Sequence, residues 1–341
     1  MFLARWTSRC LTSCFVLACV SPAVNAQTSL SDVHIAPREN AGQPPVTIAS
    51  AEPSPVARLG PGSLLRTSVD LVLVPVSITD DLHRPVVGLD QQNFQLFEGK
   101  KPQEIRNFSS EDTPVSIGIV VDTSGSMAYK LGWAHEAVIQ FCEAANPQDE
   151  FFMITFADEP RLATDFTTRV EEVENDLLTA RSKGSTALLD AIYMAIHKMR
   201  NARYARKALL ILSDGGDNHS RYTEHDVRAA MKESDVAVYS VGIFDRWVGT
   251  EEELLGPDLL RSISELTGGT AFTLGRPNDM PAVTRAIGTQ LRHQYMLAYH
   301  PESAVHDGKW HKISVKLRLP KGFHNAFFHI GARPGYYAGG E

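Results

Sequence analysis

The sequence predicts a doubly wound α/β domain on a mostly parallel sheet, with a flanking, discontinuous β-sandwich-like domain. Two observations carry this. Between about Pro114 and His293, nearly continuous apolar runs alternate with segments of helical periodicity, as strands buried on both faces and covered by helices do. On either side of that stretch, short runs with period-two alternation lie between turn formers, the pattern of antiparallel strands with one buried face.

Taken in order, residues 1–26 read as an export signal. Arg5 and Arg9 give a basic start, an apolar stretch runs from Cys10 to Val20, and Val24-Asn25-Ala26 offers small residues for cleavage. The apolar run is too short to cross a ~30 Å hydrocarbon core as a permanent helix, so no integral span is expected after signal removal. Lipid attachment at Cys19 ranks below cleavage, because Leu17 is bulky where lipid signals prefer a small or β-branched residue. Residues 27–65 read as a disordered linker: six prolines sit among Ala, Ser and Gly without periodicity, and such a stretch buries too little to order itself.

Residues 66–112 form the first part of the β domain. Strand-like runs occur at Val69–Val76, Phe94–Phe97 and Ile105–Phe108, separated by turn formers such as Gly88 and Gly99. The α/β domain follows over 113–293. Its strands are expected at Val115–Val121, Phe151–Phe156, Ala208–Leu212 and Val236–Ile243, and its helices at about 129–145, 168–181, 187–200, 223–233, 256–266 and 279–293. The second part of the β domain, 294–338, has strand patterns at Tyr295–Tyr299, Ile313–Leu319 and Phe327–Ile330. The two parts together reach six or seven strands, near the count of a small β-sandwich.

Composition narrows the function classes. The formal charge is −7 and no lysine-arginine block occurs, which argues against nucleic acid as a partner, since phosphate binding relies on clustered positive charge. Three of the four cysteines lie in the leader, leaving Cys142. No intramolecular disulfide or cysteine-based zinc site is then possible. Cys142 falls on the apolar stripe Ala134, Val138, Phe141, Cys142, Ala145 and reads as a small core residue. The twelve histidines lack finger-like spacing with cysteines. The basic stretch from Lys198 to Lys207 reads as a solvated helix end, and Tyr336 and Tyr337 as packing residues of a terminal strand.

In open α/β sheets, ligands bind beyond the carboxyl ends of the strands. After the run Ile117–Val121 comes Asp122-Thr123-Ser124-Gly125-Ser126, and after Leu209–Leu212 comes Ser213-Asp214-Gly215-Gly216. Between them, Gly184-Ser185-Thr186 opens a helix. Three loops thus bring carboxylates and hydroxyls to one edge of the sheet. An all-oxygen set suits a hard cation, Mg²⁺ or else Mn²⁺ or Ca²⁺, rather than zinc or copper. Asp122, Ser124 and Ser126 alternate along a turn, so their side chains can face one way, and Gly125 lets the backbone bend between them. Alone, Asp-x-Ser-x-Ser also reads as a helix cap; the joint occurrence with Thr186 and Asp214 favours a cation site.

Asp122-Thr123-Ser124-Gly125-Ser126, Thr186 and Asp214 resemble, position by position, the metal-ion-dependent adhesion site of von Willebrand factor A domains. The flanks, including Asp70–Val74, Phe94–Gly99, Phe108-Ser109, Gly268-Gly269, Gln294-Tyr295 and Gly335–Tyr337, are similar to a bacterial family of exported proteins related to that domain. The resemblance covers about 66–338. It implies the fold and a metal held by the hydroxyls of Ser124, Ser126 and Thr186, with Asp122 and Asp214 acting partly through water. Ser185 departs from the family, which often has a second Gly there.

Enzyme signatures are missing. There is no Gly-x-Ser-x-Gly elbow, no phosphate-binding glycine loop and no His-Glu-x-x-His. Hydroxyl ligands leave a cation much of its charge and an open position, which a carboxylate can complete. The expected function is therefore an exported (periplasmic, cell-surface or secreted) adhesion or protein-binding module, not an enzyme, whose ion takes an Asp or Glu of a protein partner. The alternatives are an envelope component with a fold-stabilising metal and a metal-assisted hydrolase.

Overall fold

The computed structural model describes residues 71–244, 251–276, 279–301, 307–318 and 328–338. The expected leader and linker, and the strand residues Val69, Leu319 and Phe327, lie outside the described residues.

The chain opens with β1 (Val72–Asp80), β2 (Phe94–Glu98), β3 (Lys101–Gln103) and β4 (Asn107–Ser109). It then alternates: β5 (Val115–Asp122), α1 (Leu131–Glu143), β6 (Glu150–Phe156), β7 (Pro160–Thr167), α2 (Val170–Thr179), α3 (Leu188–Lys198), β8 (Arg206–Ser213), α4 (Glu224–Glu233), β9 (Val236–Ile243), α5 (Glu251–Leu266), β10 (Ala271–Leu274) and α6 (Met280–Arg292). It closes with β11 (Tyr295–Tyr299), β12 (Trp310–Leu317), β13 (Phe328–Ala332) and β14 (Gly335–Tyr337).

The central sheet has the order β10-β9-β8-β5-β6-β7. Every pair is parallel except the edge pair β6–β7, which is antiparallel and carries register irregularities near Met153. All eight residues of β5 and of β9 are buried, because helices cover both faces. Odd-numbered residues of β5 (Ile117, Ile119, Val121) pack with α1 and α6 on one side. Val120, with Phe152, Ile154 and Leu209 from the neighbouring strands, packs with α3, α4 and α5 on the other. The spacing Ala134, Ala137, Val138, Phe141, Cys142 places one stripe of α1 in the core.

Gly118 is fixed by this packing. A Cβ there would lie 2.3 Å from Phe152 Cζ and 2.5 Å from Leu209 Cδ2, so the aromatic ring lies where a larger β5 residue would put its side chain.

The other eight strands form two antiparallel sheets, β13-β1-β11-β4 and β14-β12-β2-β3. Strands from before and after the α/β region interleave: β1 lies between β11 and β13, with Val76 opposite both Tyr295 and Ala332, and β2 pairs with β12. The inner faces share one core that includes Val74, Val76, Leu96, Tyr295, Leu297, Tyr299 and Ile313. The fold is thus a doubly wound α/β layer with a flanking, sequence-discontinuous β-sandwich-like part. No helix among the described residues is long and apolar enough to cross a membrane.

Candidate metal centre

From β5 the chain moves to β6 on one side, whereas β8 lies on the other, so strand order reverses at the β5–β8 junction. A crevice at such a reversal is where open α/β sheets place ligands. β5 ends in Asp122 and β8 in Ser213, on neighbouring parallel strands with Val121 opposite Leu212.

Asp122 is fully buried and both of its oxygens are tied. Ser213 Oγ donates to Oδ2 at 2.6 Å, and the Ser124 amide donates to Oδ1 at 2.8 Å. Burial, reinforced by the neighbouring Asp214 carboxylate, pushes Asp122 up to about 7. Asp214 is also buried, and its Oδ2 accepts from Lys130 Nζ at 3.0 Å. Ser124 is buried while Ser126 is exposed, with their hydroxyl oxygens 3.0 Å apart. The carboxylates thus form the floor and Ser126 the mouth.

The loop that carries Thr186 is stitched to both others. Gly125 N donates to Gly184 O at 3.0 Å, Lys183 N to Thr123 O at 2.9 Å, and Ser182 Oγ to Ser124 O. Gly184 adopts φ +97°, which favours glycine. On the other side, Thr186 N donates to Asn218 Oδ1 at 2.9 Å, and the amides of Asn218 and His219 donate to Thr186 O at 3.0 Å. Asp217 Oδ1 accepts from the Leu189 amide at 3.2 Å, at the start of α3. Asp122 at the end of β5 and the other four predicted site residues, on the three loops, are therefore held together by hydrogen bonds. Sequence reasoning missed three supporting groups: Ser213, Lys130 and Asn218.

The donor set is two carboxylates and three hydroxyls. Among the described residues, no three His, Cys, Asp or Glu side chains gather into an ion site. The chemistry of this set fits a hard divalent cation, which accepts neutral oxygen ligands and needs few formal charges around it.

The other residues singled out from sequence have structural places. Cys142 is buried, and burial pushes its thiol up to about 12. Arg206 corrects the expected solvated helix end: it lies buried on β8, donating to Thr113 O at 2.6 Å and to Leu291 O. His311 lies between two carboxylates, with Nδ1 2.8 Å from Glu98 Oε1 and Nε2 3.1 Å from Asp307 Oδ1. Tyr336 is buried in β14, and Tyr337 is half exposed.

Residues 117–216 match the family described as the von Willebrand factor type A domain, a segment that contains Asp122, Ser124, Ser126, Thr186 and Asp214. Over this segment the chain matches a von Willebrand factor type A domain. Inter-alpha-trypsin inhibitor heavy chain H4 of Bos taurus is 26% identical over 168 residues, which is 44% of this chain and 18% of that protein. The chain thus spans less than a fifth of that relative's length. Among solved structures, a von Willebrand factor type A protein from Catenulispora acidiphila is 14% identical at a TM-score of 0.46, covering 80% of this chain and 75% of its own. The von Willebrand factor domain of the type V pili tip protein Mfa5 from Porphyromonas gingivalis is 13% identical at a TM-score of 0.43, covering 53% and 95%.

Proposed function

We propose that this chain is an exported, divalent-metal-dependent protein-binding module. In this reading Ser124, Ser126 and Thr186 hold Mg²⁺ (or Mn²⁺ or Ca²⁺) through their hydroxyls. Asp122 and Asp214 support it from below, partly through water. The bound ion supplies a Lewis-acidic position, which an Asp or Glu carboxylate of the partner completes. What carries the reading is the layering of the site: buried carboxylates beneath an exposed serine whose hydroxyl lies 3.0 Å from that of Ser124. Residues 66–112 and 294–338 form the carrier domain, and residues 27–65 the tether that remains once 1–26 are removed. The reading assigns no catalytic residue. A mature chain beginning at Gln27, identified by mass spectrometry after export, tests the leader.

The function is tested by partner capture from an envelope extract, with melting temperature followed in parallel. Wild-type capture should vanish with EDTA, and Thr186→Ala should lose capture at an unchanged melting temperature. Capture that survives both EDTA and Asp122→Ala refutes the mechanism. A fall in melting temperature with capture intact would instead favour a metal that stabilises an envelope component.

A further inference from the structure

Lysine is rarely buried unless paired, yet Lys130 has a side chain only 8% exposed and ends 3.0 Å from an Asp214 that is 1% exposed. It immediately precedes α1, so backbone geometry anchors it at the site. With Asp122 and Asp214 both ionised, the site would carry a formal charge of −2; the ammonium reduces this to −1. Hydroxyl donors add nothing to the sum. The charge count of the ligands is one of the principal levers on divalent-ion affinity, and a fixed cation in a poorly solvated place acts more strongly than one in water.

Resting on the metal-binding reading above, we infer that Lys130 trades ion affinity for ligand affinity. Its charge weakens cation binding but leaves the loaded site with net charge +1 rather than neutral, so an outside carboxylate meets a net attraction. A site without the lysine would hold its ion more tightly and grip an acidic partner less. The lysine thereby makes occupancy responsive to the surrounding ion concentration.

The test measures Mn²⁺ affinity by calorimetry and carboxylate affinity by the Mn²⁺-induced relaxation of acetate protons, in wild type, Lys130→Met and Lys130→Arg. Lys130→Met should bind Mn²⁺ at least tenfold more tightly and acetate several-fold more weakly, and Lys130→Arg, which keeps the charge, should resemble wild type. The metal-free Lys130→Met protein should also melt lower and gain more from added Mn²⁺ than wild type, because tighter binding to the folded state raises stability further. If Lys130→Met proves too unstable without metal, Lys130→Gln, prepared in Mn²⁺ and titrated by competition with a chelator, gives the same comparison. Unchanged or weaker Mn²⁺ binding in the uncharged variants, with binding intact in wild type, overturns this inference alone. No Mn²⁺ binding by wild type removes the metal-binding reading itself.

Discussion

Replacing Gly256 by alanine tests how closely α5 is held against the loop that carries Asp214. Gly256 lies inside α5, where helix propensity alone would make the change favourable by about 1 kcal/mol. The added Cβ, however, would stand 2.3 Å from the Asp214 carbonyl oxygen and 3.0 Å from Gly215 Cα. Carbon contacts settle nearer 3.5 Å, so the two backbones must part by about 1 Å. Both neighbours are main chain, and Gly215 is itself at φ +77°, so no side chain can swing aside. Because both contacts are backbone and cannot yield, the cost falls at the upper end of the ~1–3 kcal/mol of overpacking, which outweighs the helix gain. Gly288 in α6 is the internal control, since a Cβ there meets nothing within 4 Å. In thermal unfolding, Gly288→Ala should raise the melting temperature by about 2–4 °C and Gly256→Ala should lower it by a similar or larger amount. A Gly256→Ala protein as stable as wild type, or more so, would show that α5 does not press on this loop.

Removing the Ser213 hydroxyl takes away the 2.6 Å bond to Asp122 and the partner of the Gly215 amide at 2.9 Å. Ser213→Ala should therefore lose about 1–3 kcal/mol in urea unfolding, and a loss below half a kcal/mol would contradict the tie. His311 yields a pH dependence. Its pKa is raised, chiefly by the hydrogen bond to Glu98 and then by Asp307, while the Tyr336 ring lies tilted against it at 5.3 Å between centroids and Tyr299 OH donates to the same Glu98. A raised value means that the imidazolium stabilises the fold fully below about 6.5, the ordinary histidine value. That contribution disappears as pH rises through the higher folded value. His311→Gln should thus be less stable than wild type by about 1–3 kcal/mol at pH 6, with the gap narrowing at pH 9; a gap that does not change with pH refutes the assignment.

The central strands were readable because burial on both faces forces unbroken apolar runs: β9 spans Val236–Ile243 as the sequence indicates, and β5 extends the expected run by only one residue, Asp122. β7 was not readable. It is an edge strand with a single fully buried residue in eight and a polar sequence, Pro-Arg-Leu-Ala-Thr-Asp-Phe-Thr, so it carries neither an apolar run nor clean alternation. β10 and β3 have four and three residues, too few for any period to register, and the three-residue β14 was marked only by its tyrosines Tyr336 and Tyr337. α5 begins five residues before the expected start at 256, and Pro257, a residue that favours first turns, lies inside the helix. At the site, the strand-end rule and the family resemblance identified Asp122, Ser124, Ser126, Thr186 and Asp214. Lys130 and Asn218 escaped because their partners, Asp214 and Thr186, are distant in sequence, and no local pattern marks a contact made across the chain. Ser213 had one available signal, its place at the end of a buried strand beside Asp214.

The interleaving of β1 between β11 and β13 bears on how the protein is made. β1 pairs with strands more than two hundred residues away, so a chain emerging N-terminus first displays Val72, Val74, Val76 and Ile78 unpartnered until almost all of it has been synthesised. Pairings across so wide a separation form slowly, and an open apolar edge invites association with other chains. The central sheet, whose strands all lie between Val115 and Leu274, can assemble while β1 is still waiting, which makes completion of the outer sheets the step at which crowding, or a chaperone that shields extended segments, governs the yield of folded protein.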